Sequence, residues 1–247
     1  MLAVRQLLPE PAEIDPAAAH AAAHRPAPAG RPWVLVNMVA SIDGATAVDG
    51  VSRGLGGPAD KVVFSAIRAV ADVILVAAGT ARAESYGPPR TPADRQAERV
   101  ARGQAAHPRF ALVTRSLQLD PASAMFTDAP EPPLVYTVAG APPERLAALA
   151  ERAEVVTLGR DGVDLAAVLA DLHTRGARLV LAEGGPGLNG HLVAAGLVDE
   201  LDVTLSPLLA GGDSARLAHG PAAVPTPMDL AHLWEADGML FGRYVRR

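Results

Sequence analysis

The chain has 247 residues, 49% of them hydrophobic, and a formal net charge of -5 at pH 7. It is long enough to bury a sizeable core, and its acidic balance gives no general attraction to nucleic acid or to an anionic membrane. The lack of cysteine excludes disulfides, thiol nucleophiles and cysteine-based zinc sites, and it is compatible with the cytoplasmic location that we expect.

Residues 1–30 are predicted to form an N-terminal arm or linker. Residues 1–8 could pair as a short peripheral element, whereas 9–30 are rich in Ala, Pro and His and show no periodicity. Acidic residues occupy this region where a signal peptide needs an apolar core, so no export signal is expected, and no apolar run approaches the length of a membrane span. His20 and His24 stand one helical turn apart, but without a third ligand nearby we expect them to be solvated.

From Arg31 onward, apolar runs alternate with helical patterns, and we expect residues 31–247 to form a single domain. Strands are predicted at residues 33–39, 73–77, 110–113, 134–138, 155–158, 178–182 and 201–205, with helices from residue 58 and at 143–152, 165–174 and 188–195. This alternation predicts a mainly parallel central sheet flanked by helices. The last run, residues 239–245, alternates more and follows no helix, which predicts an antiparallel edge strand.

A glycine-rich loop within residues 177–207 is the strongest indication of a ligand site. Gly185, Gly187 and Gly190 match G-x-G-x-x-G between a strand and a helix, and Gly196 is placed to end that helix. Such glycines let the backbone approach an anion that faces the helix N-terminus, which suits a phosphate or pyrophosphate. The next strand ends without an acid for a ribose 2′-hydroxyl, so the options are a phosphorylated ribose as in NADP, another fold, or a tight turn without a ligand.

Several short motifs occur in a fixed order along the chain. They are Ser41-Ile42-Asp43-Gly44, Ile67-Arg68-Ala69, Asp72-Val73-Ile74-Leu75-Val76, Gly79-Thr80, Glu183-Gly184-Gly185 and Gly196-Leu197-Val198-Asp199-Glu200-Leu201. Together they resemble the reductase domain of the bacterial riboflavin-biosynthesis deaminase-reductase, from about Trp33 to the C-terminus. The resemblance implies a dihydrofolate-reductase-like fold and a stand-alone pyrimidine reductase, because residues 1–30 are too few for the zinc deaminase domain that usually precedes it.

The activity that this resemblance implies is reduction of the ribose of 5-amino-6-(5-phosphoribosylamino)uracil to a ribityl group by NADPH, in riboflavin biosynthesis. The protein's task is then orientation and electrostatics. The resemblance also implies a homodimer, with residues 197–210 and the C-terminal strand as candidates for the interface. No metal site, nucleic-acid partner or membrane partner is expected.

Site residues follow from the resemblance by motif position. The implied pyrophosphate loop comprises Gly185, Pro186, Gly187, Leu188 and Asn189, further NADPH contacts are Val39, Leu55, Thr80 and Glu84, and Arg115 or Ser116 would reach the 2′-phosphate. The implied substrate contacts are Asn37, Ser52, Arg53, Arg68 and the loop after Tyr86, with Glu183 beside the base or the reacting carbon as the candidate catalytic residue.

Two residues depart from the family pattern and keep other functions open. Asn37 stands where the family often has a lysine, and Leu55 stands where many members have a tryptophan. A neutral amide cannot replace a point charge at a phosphate or an imine. Dihydrofolate or another pterin is therefore an alternative substrate on the same fold, and a non-catalytic NADP-binding sensor is a second alternative.

Overall fold

The structure, a computed structural model, describes residues 3–247, and in this part of the chain eleven strands form one mixed sheet. The strands are β1 (Val4–Leu8), β2 (Ala12–Ile14), β3 (Trp33–Ser41), β4 (Val73–Ala77), β5 (Arg109–Val113), β6 (Leu134–Thr137), β7 (Glu154–Thr157), β8 (Leu179–Ala182), β9 (Glu200–Ser206), β10 (Met228–Ala236) and β11 (Met239–Arg246). The helices are α1 (Pro16–Ala22), α2 (Pro58–Arg68), α3 (Ala78–Ala83), α4 (Ala93–Ala101), α5 (Ala124–Thr127), α6 (Pro143–Ala150), α7 (Leu165–Thr174) and α8 (Pro186–Ala194). The strand order is β2-β1-β10-β11-β9-β3-β8-β4-β5-β6-β7.

The parallel part of the sheet runs from β9 to β7 and confirms the predicted strands. β3 pairs in parallel with both β8 and β9, and the parallel ladder continues through β4, β5, β6 and β7. Successive residues of β4 enter different cores, because Ile74 packs into one apolar cluster while Val73 and Leu75 pack into the other. Burial on both faces explains why these strands are continuous apolar runs.

The predicted antiparallel strand at the C-terminus is present as β11, but three further strands lie beyond it. β11 pairs antiparallel with β9 on one side and with β10 on the other. The β10–β11 hairpin turns at Asp237 and Gly238, which both have positive φ, 52° and 75°. Two positive φ values match the twist of a tight type I′ hairpin. Sequence reasoning missed β10, whose residues are mostly half-buried and give a weak pattern.

The N-terminal segment belongs to the same sheet. The possible pairing of residues 1–8 is confirmed for β1, which pairs antiparallel with β10. Residues 9–30, predicted to be part of an arm or linker without periodicity, contain β2 and α1. α1 begins after Asp15, whose side chain accepts the N–H of Ala17 at 3.0 Å, and Pro16 occupies its first turn. Asp-Pro is a helix-start signal that the composition of this segment obscured.

The two N-terminal histidines differ in environment. His24 is exposed as expected, but the prediction is wrong for His20, which is 1% exposed and packs edge-on against the ring of Trp234 at 5.2 Å. No helix among residues 3–247 combines the length and the apolar character needed to cross a membrane.

Candidate active site

A cleft of about 870 Å³ opens at the carboxyl ends of β3, β8 and β4. Parallel α/β sheets bind ligands at this edge, where loops following neighbouring strands face one another. Ten residues predicted from the sequence line the cleft: Asn37, Val39, Ser52, Arg53, Arg68, Thr80, Glu84, Glu183, Gly185 and Pro186. The fold therefore brings most of the candidate residues to one place.

Glu183, at the end of β8, is held in the cleft by three hydrogen bonds. Arg68 donates from Nε to Oε1 at 2.7 Å and from Nη2 to Oε2 at 2.6 Å, and the hydroxyl of Tyr86 donates to Oε2 at 2.8 Å. The Glu183 side chain is only 2% exposed, while that of Arg68 is 30% exposed. A bidentate pair of this kind fixes the plane of the carboxylate as well as its charge.

The partners of Glu183 are themselves held by aromatic packing. The Arg68 guanidinium lies over the Phe64 ring at 4.3 Å, and Tyr86 stacks on Phe110 with ring centroids 5.9 Å apart. Burial opposes the charge of Arg68, but attraction and hydrogen bonding to Glu183 offset it, and the pKa of Arg68 is raised. Burial and the Glu183 charge raise the pKa of Tyr86, so its hydroxyl stays a donor. Glu183 is thus an oriented acceptor with one lone pair, on Oε1, left for a ligand.

Hydrogen bonds between loops hold the entrance of the cleft in place. Glu84, predicted to face a cofactor, accepts the backbone N–H of Ser52 at 2.6 Å. Asp43 bonds to Ser41 and accepts the N–H groups of Ala210 and Gly211, the latter at 2.7 Å. Ser214 accepts the N–H of Thr46 at 3.0 Å. The glycine-rich loop after β3 is thereby tied both to the end of α3 and to the loop after β9.

Several lining residues were missed from the sequence. They are Asp60, Phe64, Tyr86 and the segment from Ala210 to Ala215. The sequence signal for the segment was Gly211-Gly212 in the loop that follows a predicted strand, and the signal for Asp60 and Phe64 was their helical spacing before Arg68.

The glycine loop begins α8 as predicted, and Gly196 follows the helix with a φ of 65°. A side-chain carbon at Gly185 would overlap the hydroxyl of Thr80, and one at Gly190 would overlap the backbone of His219 and Gly220, whereas Gly187 faces open space. Gly190 therefore serves packing and not ligand approach.

Two other members of the predicted pyrophosphate loop lie in the interior. Leu188 packs into the core, and the amide nitrogen of Asn189 donates to the carbonyl of Leu217 at 2.9 Å. The backbone N–H of Asn189 is also engaged, since it donates to the carbonyl of Gly185 at 3.1 Å. Gly185, Pro186 and Gly187 are the loop members left at the surface of the cleft or beside it.

A second depression of about 520 Å³ lies at the carboxyl ends of β4, β5 and β6. It contains Arg115 and Ser116, together with Arg82 and Arg160. Helix α3 separates it from the main cleft, because Thr80 lines one depression and Gly79 lines the other. Leu55, predicted to contact a cofactor, is 1% exposed and lines neither.

One group of metal-ligating side chains occurs among residues 3–247. The buried side chains of His20, Glu200 and Asp202 bring one ligand atom each within 4.8 Å of one another. Glu200, however, already accepts hydrogen bonds from Arg25, Arg243 and Trp33. Nη2 of Arg25 also faces Nδ1 of His20 at 3.3 Å, which places the His20 proton on Nε2. The two arginines already balance the charge of Glu200, which makes this group a poor site for a cation.

Comparison with known proteins identifies relatives over most of the chain. The model of the RibD C-terminal domain family matches residues 32–240. A 2,5-diamino-6-ribosylamino-4(3H)-pyrimidinone 5′-phosphate reductase from Methanothermobacter thermautotrophicus is 34% identical over 187 residues, 75% of this chain and 82% of that protein. A reductase of the same name from Archaeoglobus fulgidus is 30% identical over 192 residues, 77% of this chain and 87% of that protein. A pyrimidine reductase-like protein from Corynebacterium diphtheriae superposes with a TM-score of 0.81 and 28% identity, covering 87% of this chain and 92% of that chain.

Proposed function

Because the chain belongs to the RibD C-terminal domain family, which links it to the reductases of riboflavin biosynthesis, we propose that it reduces the ribose of a ribosylaminopyrimidine 5′-phosphate with NADPH. The dihydrofolate-reductase-like fold expected from the sequence is confirmed by the likeness to the solved pyrimidine reductase-like protein. The observation that carries the proposal is the cleft in which Glu183, fixed by Arg68 and Tyr86, stands beside the start of α8.

The two depressions fit an elongated dinucleotide. Gly185, Pro186 and Gly187 at the start of α8 would hold a pyrophosphate, because the positive end of the helix faces outward there. Arg115 and Ser116, both exposed in the second depression, would hold a 2′-phosphate. When bound, NADPH supplies the hydride, and this chain's residues orient the substrate against it.

On the substrate side, the reaction adds a hydride to C1′ of the ring-opened imine and a proton to its nitrogen. Glu183 would accept a hydrogen bond from an amino or hydroxyl group near C1′ and so fix that carbon. Arg53, which is exposed in the glycine-rich loop after β3, would meet the 5′-phosphate. Asn37 lines the floor of the same cleft.

A second candidate function is reduction of dihydrofolate or another pterin. The neutral Asn37 in the cleft favours it, since this position offers no charge for a phosphate or an imine. The absence of turnover with dihydrofolate, under conditions in which the phosphoribosyl pyrimidine is reduced, would exclude the pterin as the main substrate.

The homodimer implied by the resemblance remains part of the proposal. Ile42, Leu208 and Leu209 are exposed, and the N–H of Ile42 donates to the carbonyl of Leu208 at 3.0 Å, so these apolar side chains come from adjoining loops. Leu208 and Leu209 fall within the candidate interface, residues 197–210. Sedimentation velocity at micromolar concentration would distinguish a dimer from a monomer.

The proposed function is tested by titrating the protein with NADPH and with NADH, followed by fluorescence, and then adding each pyrimidine phosphate or dihydrofolate. We expect NADPH to bind preferentially and a pyrimidine phosphate to oxidise it. Tight NADPH binding without oxidation by any of these substrates would instead favour a non-catalytic sensor. Failure of both coenzymes to bind would overturn the proposal.

A further inference from the structure

A small cavity of about 10 Å³ adjoins the main cleft, because Asn37 lines both of them. His20, Asp202 and Thr204 also line this cavity, and each of the three is buried. Both carboxyl oxygens of Asp202 and Nε2 of His20 are without a hydrogen-bond partner among residues 3–247. Buried polar atoms of this kind are costly unless they bind water, and the cavity has about the volume that one water molecule occupies.

The sheet aligns the cavity with the cleft. Asn37 of β3 is the register partner of Asp202 in β9, and Asp202 is in turn the partner of Arg243 in β11. Adjacent strands lie about 4.8 Å apart, so the side chains of Asn37 and Asp202 are neighbours in one row across the sheet. His20 of α1 has its proton on Nε2 and can donate to a water in the cavity. Such a water would connect the buried Asp202 to the cleft at Asn37.

The charges around Asp202 favour its protonated form. Burial and the charge of Glu200 raise the pKa of Asp202 well above its usual value, while Arg25 and Arg243 oppose the shift. The same two arginines would stabilise a carboxylate that forms for a short time at this position. The titratable and charged groups that face Asp202 are Glu200 in β9, Arg243 in β11, His232 in β10, His20 in α1, Arg25 after α1 and, beyond Thr204, Asp60 in α2.

The proposed reduction consumes a proton as well as a hydride. When the hydride adds to C1′, the electron pair of the C1′–N π bond moves onto the nitrogen, which then takes up a proton. Glu183 is held as a carboxylate by Arg68, and the raised pKa of Tyr86 makes its hydroxyl a weak acid. A neutral carboxylic acid is a much stronger proton donor than a tyrosine hydroxyl.

We propose that Asp202 is the proton reservoir of this reduction, and that a water molecule in the small cavity carries its proton past Asn37 to the substrate nitrogen. The O–H bond of the carboxyl group breaks, the water accepts this proton and releases another, and the new N–H bond forms on the substrate. The remaining carboxylate regains a proton from solvent through the cleft when the product leaves. Hydride and proton together reduce the imine to an amine, and Asp202 ends the cycle as it began.

This inference rests on the proposed function and adds the source of its proton. Asp202 acts through the water and Asn37, without contact with the substrate. Its loss should therefore change the rate of the reaction and the pH dependence of that rate, and leave substrate binding almost unaltered.

The experiment compares kcat as a function of pH in the wild type and in Asp202→Asn, at saturating NADPH and saturating ribosylaminopyrimidine 5′-phosphate. Wild-type kcat should stay level through neutral pH, because Asp202 keeps its proton below its raised pKa, and should fall above that pKa. In Asp202→Asn, kcat should be about 100-fold lower at pH 8, a typical contribution of a general acid. The deficit should shrink toward pH 5, where solvent supplies protons. KM for the pyrimidine phosphate should change by less than about threefold.

Asp199→Asn is the matched control. Asp199 is also buried and lies three residues before Asp202, but it pairs with Arg31 and lines neither the cleft nor the small cavity. This variant should lose stability, whereas its kcat should depend on pH as in the wild type. Asp202→Ser serves as the second variant if Asp202→Asn does not fold, and it should show the same deficit in kcat.

Infrared difference spectroscopy gives a readout that does not depend on turnover. At neutral pH, the wild type should show the carbonyl band of a protonated carboxyl group that is missing from Asp202→Asn. The absence of this band in the wild type would overturn the inference, because Asp202 would then hold no proton to give.

The outcomes separate failure of the inference from failure of the proposed function. Equal pH profiles of kcat in the wild type and Asp202→Asn, or a change in KM alone, would make Asp202 a purely structural acid and leave the reductase intact. A wild type that oxidises NADPH with neither a pyrimidine phosphate nor dihydrofolate would overturn the proposed function, and the inference with it.

Discussion

Glu183 is the buried acid of the cleft, and its carboxylate accepts three hydrogen bonds. Removing its negative charge should therefore disturb both stability and substrate binding. In Glu183→Gln, the amide nitrogen would face either Arg68 or Tyr86, both of which donate to this position. We expect the free energy of unfolding to fall by about 3–5 kcal/mol, as when one partner of a buried ion pair is removed. We expect kcat/KM to fall about 100-fold because the substrate would be misplaced. Urea unfolding and steady-state kinetics measure the two effects.

Tyr86→Phe is the matched control for this prediction, because it removes one hydrogen bond to Glu183 while leaving the Arg68 pair in place. Its cost in unfolding free energy should be close to 1 kcal/mol, on the order of an ordinary hydrogen bond. Equal losses of unfolding free energy in the two variants would show that the charge of Glu183 contributes no more to stability than a single hydrogen bond.

Asp202 is a second buried acid, and unlike Glu183 it lacks hydrogen-bond donors among the described residues. It is 5% exposed, and neither of its carboxyl oxygens has a hydrogen-bond partner among residues 3–247. Burial and then the charge of Glu200 raise the pKa of Asp202 well above its usual value, although Arg25 and Arg243 oppose the shift. Burial thus favours its neutral form in the folded protein, and Nε2 of His20 is a nearby group that also lacks a partner.

Asp202→Asn should stabilise the protein at neutral and alkaline pH. A carboxyl whose pKa is raised on folding contributes its stability below the unfolded pKa and loses it as pH rises through the folded pKa. The variant lacks this loss. We therefore expect its free energy of unfolding to exceed that of the wild type by at least about 1 kcal/mol at pH 8, and we expect the difference to shrink toward pH 4. Burial lowers the pKa of His20 to about 3 and that of His232 to about 4, which weakens both proteins equally in acid. A difference that does not change with pH in urea unfolding would contradict this account.

At the scale of elements, a buried ion pair between Arg25 and Glu200 connects the N-terminal segment to the family domain. Arg25 donates from Nε to Glu200 at 2.8 Å, and Arg243 donates from Nε to the same carboxylate at 2.6 Å. Burial would raise the pKa of Glu200, but the hydrogen bonds from Arg243 and Arg25 lower it to about 2. Arg25 lies outside the family match, which begins at residue 32, so this link ties the preceding segment to the matched region.

Arg25→Ala should therefore destabilise the fold far more than a surface arginine does. The Glu200 side chain is fully buried, and leaving part of its charge uncompensated should cost about 3–5 kcal/mol. Arg5→Ala is the control, since the Arg5 side chain is 63% exposed in its pair with Glu235 and should contribute about 0–1 kcal/mol. Thermal or urea unfolding of both variants gives the comparison, and similar costs would mean that residues 4–25 are only loosely attached.

Comparison of predicted with observed elements shows which parts of the fold local sequence patterns can predict. β4 and α7 were predicted with their observed bounds, because a strand buried on both faces and an amphipathic helix carry their own periodicity. α1 was missed although Asp15-Pro16 signals its start, and β10 was missed because it depends on pairing with a distant strand, as in the Arg5–Glu235 pair between β1 and β10, whose members are 230 residues apart. The same holds in the cleft, where Glu183 could be chosen from its position after a strand but its bond to Tyr86 depends on the tertiary fold.

At the scale of the whole molecule, the two depressions on either side of α3 define the length of ligand that the protein can take. The main cleft holds Glu183 and the start of α8, while the second depression gathers Arg82, Arg115 and Arg160. A ligand that spans both would place its reactive end by Glu183 and its far end among the arginines. Preference for a phosphorylated coenzyme should therefore depend on a site far from the reacting atoms.

Arg115→Ala tests whether the second depression provides the preference for a phosphorylated coenzyme. We expect the Kd for NADPH to rise about 10- to 100-fold, because a charge-assisted contact with the 2′-phosphate is lost, while the Kd for NADH stays the same. Arg152→Ala, an exposed arginine outside both depressions, should leave both constants unchanged. Equal weakening of NADPH and NADH by Arg115→Ala would place this arginine on a part common to the two coenzymes. No change with either coenzyme would remove the second depression from the coenzyme site and leave the main cleft to bind it alone.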